Sequence, residues 1–185
     1  MLLKPDIDSF PLIAITVGLI TAVPALFALI APARAEKLYK AFPRSIWPGR
    51  IIIAISFIWS TIWLVVMPFG FLTVLHPYLW FLTPALILSA WFFIPDLLSC
   101  RALGCLFALV PTPMLSSAQW LDSPLRYVVI VYAYVLAVFG MFYIALPYLV
   151  RDHITWTFVK PTRVRAIAAT LAVIGIAHII IGIAA

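Results

Sequence analysis

The sequence predicts an all-α, polytopic integral membrane protein with six transmembrane helices, and three observations carry that expectation. Apolar residues make up 66% of the 185, charged residues only 10%, and the mean hydropathy is +1.19. Soluble domains have about half and about a quarter. Lipid can solvate so apolar a chain, because it is itself the apolar solvent. The apolar residues also fall into runs of about 20, the length a helix needs to cross about 30 Å of hydrocarbon. Finally, ten of the twelve basic residues lie at three places between or at the ends of those runs.

The first run, residues 11–31, is followed by Arg34, Lys37, Lys40, Arg44 and Arg50. Within that segment, residues 33–49 read as a short interfacial helix, with Leu38, Tyr39, Phe42 and Trp47 towards lipid and the lysines among headgroups. The second and third runs, 51–71 and 72–95, are joined through residues 68–77, which hold Gly70 and His76 but no Lys or Arg. That composition reads as a tight hairpin on the face opposite the basic segment. Residues 102–118 are short for a span and contain Pro111 and Pro113, so a fourth helix here is expected to be proline-broken. Spans five and six are 127–150 and 166–185, separated by Arg151, Lys160, Arg163 and Arg165.

Charge decides whether the fourth run crosses. Lys and Arg near span ends mark the cytoplasmic side of a bacterial-type inner membrane. If 102–118 stays on one side, seven basic residues fall inside and five outside; if it crosses, ten fall inside and only Lys4 and Arg126 outside. The second arrangement obeys the rule far better, giving a multi-pass protein of the inner (plasma) membrane with both termini outside. The motif Ala33-Arg34-Ala35 after an apolar run imitates a signal-peptide cleavage site. Asp6 and Asp8 outweigh Lys4 before that run, however, and the run is longer than the 7–15 residues of a signal sequence.

One self-similarity stands out. At an offset of 115, Ala22, Val23, Phe27, Pro32, Arg50, Ile52 and Ala54 meet Ala137, Val138, Phe142, Pro147, Arg165, Ile167 and Ala169. Each copy has a proline closing one span and an arginine opening the next 18 residues later. This frame suggests parallel-repeated helical hairpins.

Ionisable groups inside a bilayer are functional candidates by default, and few are present. Asp96 and Arg101 are expected to pair across the turn between spans three and four. His178 lies within the last span and His76 opens the third on the same side, so the two are candidate axial ligands of a b-type haem. Pro111, Thr112 and Pro113 mark the place where a broken helix could open a solute pathway. Cys100 and Cys105 have neither a C-x-x-C redox spacing nor a zinc spacing, and read as free thiols. Trp47, Tyr78, Trp80, Trp120, Tyr127, Tyr148 and Trp156 suit an aromatic belt, whereas Trp59, Trp63 and Trp91 are expected deeper.

Arg34, Lys37, Lys40, Arg44, Arg50, Lys160, Arg163 and Arg165 are expected to contact anionic lipid headgroups on the cytoplasmic face, which accounts for the net charge of +6 without nucleic acid. No P-loop, H-E-x-x-H or G-x-S-x-G motif is present. The sequence therefore predicts a single-domain, non-catalytic membrane subunit that packs with other membrane proteins and holds no metal. A small transporter or channel for a neutral or hydrophobic solute, and a haem or quinone electron carrier, are the alternatives.

Overall fold

The computed structural model describes residues 9–66, 76–93, 97–119 and 123–184. Helices account for nearly all of these, and no strand occurs among the described residues. Five helical stretches are long and apolar enough to cross a membrane: Phe10–Ile30, Ile46–Val66, Leu98–Ala118, Arg126–Ala145 and Pro161–Ala184. The expected third span appears as His76–Phe93, 18 residues, and does not join those five. Its described part carries His76, Pro77, Tyr78, Pro84 and three tryptophan-or-threonine positions, all of which dilute its hydropathy.

Prolines set most of the boundaries. Helix α1 (Phe10–Ile30) ends at Ala31, whose φ of −131° and ψ of 64° leave the helical region. The next residue is Pro32, and a proline ring disfavours helical geometry in the residue before it. Pro32 then opens α2 (Pro32–Ala41), where a missing N–H costs nothing because the first-turn donors lack partners anyway. The same device recurs further on. Helix α7 (Arg126–Ala145) ends at Leu146, with φ −126° and ψ 71°, just before Pro147, and α8 (Tyr148–Phe158) follows. Ala31 N–H donates to Phe27 O at 3.0 Å, and Leu146 N–H to Phe142 O at 2.7 Å. These equivalent breaks fall at the 115-residue offset seen in the sequence.

After α2 comes a 3₁₀ turn, Phe42–Arg44, then α3 (Ile46–Val66) and α4 (His76–Phe93). Helices α5 (Leu98–Leu109) and α6 (Pro111–Ala118) together make the fourth apolar stretch, and α9 (Pro161–Ala184) is the last. The break expected at the two prolines is slight. Val110 keeps right-handed helical dihedrals, φ −55° and ψ −37°, and its N–H still reaches Leu106 O at 3.0 Å. The fourth stretch is therefore a 21-residue helix rather than a stub, beginning four residues earlier than expected.

Neighbouring helices pack both antiparallel and parallel. In α1 and α9, Gly18 meets Gly175, and Pro11 with Ala14 meets Gly182, so the pair is antiparallel. In α5 and α7, Gly104 meets Gly140 and Ile144, again antiparallel. Gly49 at the start of α3 lies against Ser99 at the start of α5, so those two run side by side in one direction. Helix α4 runs back along α3, with Thr61 against Thr83 and Arg50 against Trp91. It follows that α2 and α8 meet at the same end of the bundle, where the Tyr39 and Phe158 rings touch edge to face at 5.9 Å. The two arginine-bearing segments expected on one side of the membrane are thus adjacent in space.

Close backbone approach holds the centre together. A Cβ on Gly18 would lie 2.6 Å from Gly175 O, and one on Gly175 would lie 2.7 Å from Ala22. Ala14, Gly18, Ala22, Ala25 and Ala28 supply the small buried face of α1, with Ala168, Ala172, Gly175 and Gly182 opposite on α9. Lipid tails are as apolar as the side chains, so membrane helices associate through such van der Waals fit rather than by escaping water. The main core cluster combines Phe10, Ile13, Ala14 and Val17 with Met114, Ala118, Val129, Ala133 and Ile181, joining α1, α6, α7 and α9.

Candidate functional sites: a buried histidine and a basic cleft

His178 is fully buried, at 0% exposure, on the inner face of α9. Its Nδ1 lies 2.8 Å from Ile174 O, one turn back. A carbonyl accepts only from N–H, so Nδ1 carries the ring proton and Nε2 of the neutral ring is left as an acceptor. That Nε2 has no hydrogen-bond partner among the described residues. The imidazole packs at a tilt on Tyr132 of α7, centroids 4.8 Å apart, and Tyr132 OH bonds Thr21 Oγ1 of α1 at 2.9 Å. Three helices thus bring polar groups together in an otherwise apolar centre. Sequence inspection singled out His178 but missed Tyr132 and Thr21. Their only prior signal is that each is a hydroxyl on the same helix face as small buried residues.

His76 begins α4, with its Nε2 buried and also unpartnered. Helix α4 packs along α3, whereas α9 packs along α1 and α8. Among the described residues no group of three or more His, Cys, Asp or Glu could hold a metal ion. Pro111 is buried, while Thr112 and Pro113 are half-buried. The Ser116 hydroxyl donates to Thr112 O at 2.8 Å and that of Ser117 to Pro113 O at 2.8 Å, satisfying carbonyls in the turn the prolines begin. Met114 and Ala118 from this turn belong to the core cluster beside Tyr132.

The expected Asp96–Arg101 pair falls partly outside the described residues, at Asp96. Arg101 itself reaches Ile144 O through Nη1 at 3.5 Å. Cys100 and Cys105 are free thiols on one helix, Cys100 buried. Trp91, expected deep, lies instead at the basic end of the bundle: its Nε1 donates to Arg50 O at 3.3 Å and its ring faces the Arg50 guanidinium at 5.6 Å.

The basic residues divide by what they touch. Arg50 also lies over Trp47, at 5.8 Å, and its Nε is buried without a partner, so it is packed rather than projecting. Arg163 stacks on Trp156 at 4.4 Å. Arg34, Lys160 and Arg165 are exposed. Lys37, Lys40 and Arg44 line an open cavity of about 420 Å³ with Ala41 and Ser45. Lys40 and Arg44 also line an adjoining one of about 270 Å³ with Pro43, Arg151, Ile154 and Thr155. The second cavity spans the α2–α8 junction, so the two basic segments share one cleft. Tyr39 of the same helix donates to Pro24 O at 2.7 Å, and burial pushes its phenol above the ordinary value of 10.0.

Fold and sites together define an all-helical membrane protein with a polar knot in its apolar centre and a cationic cleft at one end. Set against known proteins, the chain matches no family model, no curated protein and no solved structure.

Proposed function

We propose that this chain is a non-catalytic integral membrane subunit that docks on a larger membrane assembly through its α4 side. One observation carries the reading. Helix α4 is held by α3 and buries only Thr83 and Ala90, leaving Trp80, Phe81, Phe92 and Phe93 turned outwards, Phe93 at 84% exposure. A helix held on one side by so thin a seam gains most from a second protein neighbour. In this reading α4 completes a six-span layout with both termini outside, the cleft faces the cytoplasm, and the matched breaks at Ala31 and Leu146 reflect a duplicated hairpin.

The test is purification in mild detergent, with a photo-crosslinking residue at Phe81 or Phe92. A stoichiometric larger assembly, crosslinked from those positions and not from Ile20 or Val173, is expected. Recovery of a lone chain or homodimer, with crosslinks to lipid only, overturns the reading.

A second reading, a small carrier for a neutral or hydrophobic solute, is favoured by the convergence of α6 on the core cluster beside Tyr132, His178 and Thr21. Solute flux in liposomes that falls with His178→Leu and with the Pro111→Ala, Pro113→Ala pair supports it; flux indifferent to both removes it. The haem alternative is answered by the absorption spectrum of the purified protein, where a missing Soret band ends it.

A further inference from the structure

The cleft at the α2–α8 junction is built as two adjoining compartments with a shared wall. Lys40 and Arg44 border both; Lys37 and Ser45 complete the first, and Arg151 and Thr155 the second. Charge bookkeeping within the cleft is specific. Lys40 Nζ is paired with Glu36 at 2.6 Å, and Arg151 Nε with Asp152 at 3.0 Å. Lys37 and Arg44 have no hydrogen-bond or ion-pair partner among the described residues. Four cations set against two carboxylates leave a surplus of two positive charges, on Lys37 of the first compartment and on Arg44 of the wall that both compartments share. The floor is neutral: Pro43 is buried, Ile154 half-buried, and the Thr155 hydroxyl already donates to Arg151 O at 2.8 Å. Next to Ser45 in the chain, Ile46 and Trp47 are exposed at 50% and 73% and offer an apolar surface beside the cations.

We infer that this cleft is a binding site for one phospholipid whose headgroup carries two phosphodiesters, with one phosphate in each compartment and its acyl chains along Ile46 and Trp47. Each phosphodiester carries one negative charge, so the pair balances the surplus of two. Arginine and lysine on the shared wall suit adjacent phosphates, the guanidinium as a fork and the ammonium as a point charge. A soluble anion would need no apolar flank, and a single-phosphate lipid would leave one surplus charge unmatched. The inference rests on the proposed membrane placement, with the cleft at headgroup level, but not on docking to any larger assembly.

The test uses the full chain, purified alone and placed in phosphatidylcholine nanodiscs containing either cardiolipin or phosphatidylglycerol at equal phosphate. Bound lipid is read by native mass spectrometry. Retention of one cardiolipin at least tenfold over phosphatidylglycerol is expected. Lys37→Gln with Arg44→Gln is expected to reduce that retention at least tenfold, and Arg151→Gln to abolish the preference for cardiolipin. Arg165→Gln, a change to an exposed arginine outside the cleft, leaves it unchanged. Equal retention of the two lipids by the unaltered chain overturns the proposal without recourse to any variant. So does unchanged retention after Arg44→Gln, or displacement of cardiolipin by inorganic pyrophosphate, which would mark a site for free anions. A chain that stays out of the nanodisc overturns the membrane placement as well, whereas absence of a larger assembly on purification overturns only the docking role.

Discussion

The α1–α9 and α3–α4 pairs are both antiparallel contacts between apolar helices, yet they are built in opposite ways. Along α1–α9 the side chains have been reduced until backbones touch: Gly18, Gly175 and Gly182 leave no room for an added methyl group, and seven residues of α9 are buried. Along α3–α4 the seam is thin: only Thr83 and Ala90 of α4 are buried, and the specific links are a Thr61–Thr83 hydrogen bond and the Trp91 contact with Arg50. In a solvent as apolar as the side chains, bulk gives no association by itself; closeness of fit does. The first pair is therefore the keel of the fold, and the second is a loosely attached flank.

The sharpest way to break that contrast is to overfill the keel. Gly175→Leu places carbon where Ala22 Cβ and N–H already sit, at 2.7 Å, so the helices must separate along much of their length. A loss of about 3 kcal/mol is expected, the upper end of overpacking costs, read by denaturant unfolding in micelles or as failure to accumulate. Ala85→Leu on exposed α4 should change stability by less than about 0.5 kcal/mol. If the two substitutions cost the same, the keel does not exist.

A smaller effect tests the flank. Each of Thr61 and Thr83 also bonds its own helix, at Phe57 O and Leu79 O, at 2.9 and 2.7 Å. A hydroxyl has one proton, so across the pair one threonine donates to its partner and the other to its own carbonyl. The double-mutant cycle Thr61→Val, Thr83→Val should give a coupling of about 0.6 kcal/mol, the average for interhelical hydrogen bonds in a membrane protein. A coupling indistinguishable from zero would mean that the threonine pair adds nothing to the hold on α4, leaving the Trp91–Arg50 link and packing.

How far these features were legible depends on the physics behind each. The places of five long apolar helices were readable because apolar length is a one-dimensional property, and the proline-set ends at Ala31 and Leu146 because the ring acts on its immediate neighbour. The fourth helix was underestimated for a related reason. Pro111 and Pro113 lie at the opening turn of α6, and Val110 stays helical, so they remove donors without unwinding the chain. Nothing local distinguishes that outcome from a break. The keel was present in the sequence as small residues at four-residue spacing, but which helix would face which is a three-dimensional choice. The same holds for the cleft: Lys37, Lys40 and Arg44 were all expected at a headgroup surface, while Arg151, which completes the second compartment, lies more than a hundred residues away. The triplet of His178, Tyr132 and Thr21 was illegible beyond its histidine because no spacing rule connects three separate spans.

The smallest effect concerns a latch that the keel has and the flank lacks. Tyr39 ties α2 back to α1 through Pro24 O and sets its ring edge on Phe158 of α8, closing the basic end over the α1–α9 pair. Tyr39→Phe keeps the ring contact and removes the hydrogen bond, so a loss of about 1 kcal/mol is expected at pH 8. The pH dependence separates this bond from mere packing. Burial raises the Tyr39 phenol above 10.0, so the folded protein holds that proton more tightly than the unfolded chain does. Its contribution is complete below 10 and declines as pH rises through the raised value. The stability gap between the unaltered chain and Tyr39→Phe should therefore narrow in strongly alkaline solution, because only the tyrosine has a proton to lose. A gap that stays constant from pH 8 upwards would mean that the phenol does not hold the latch, and that α2 is held by packing, through Ala35 against Ala28 and Ala168 and through the Tyr39–Phe158 ring contact.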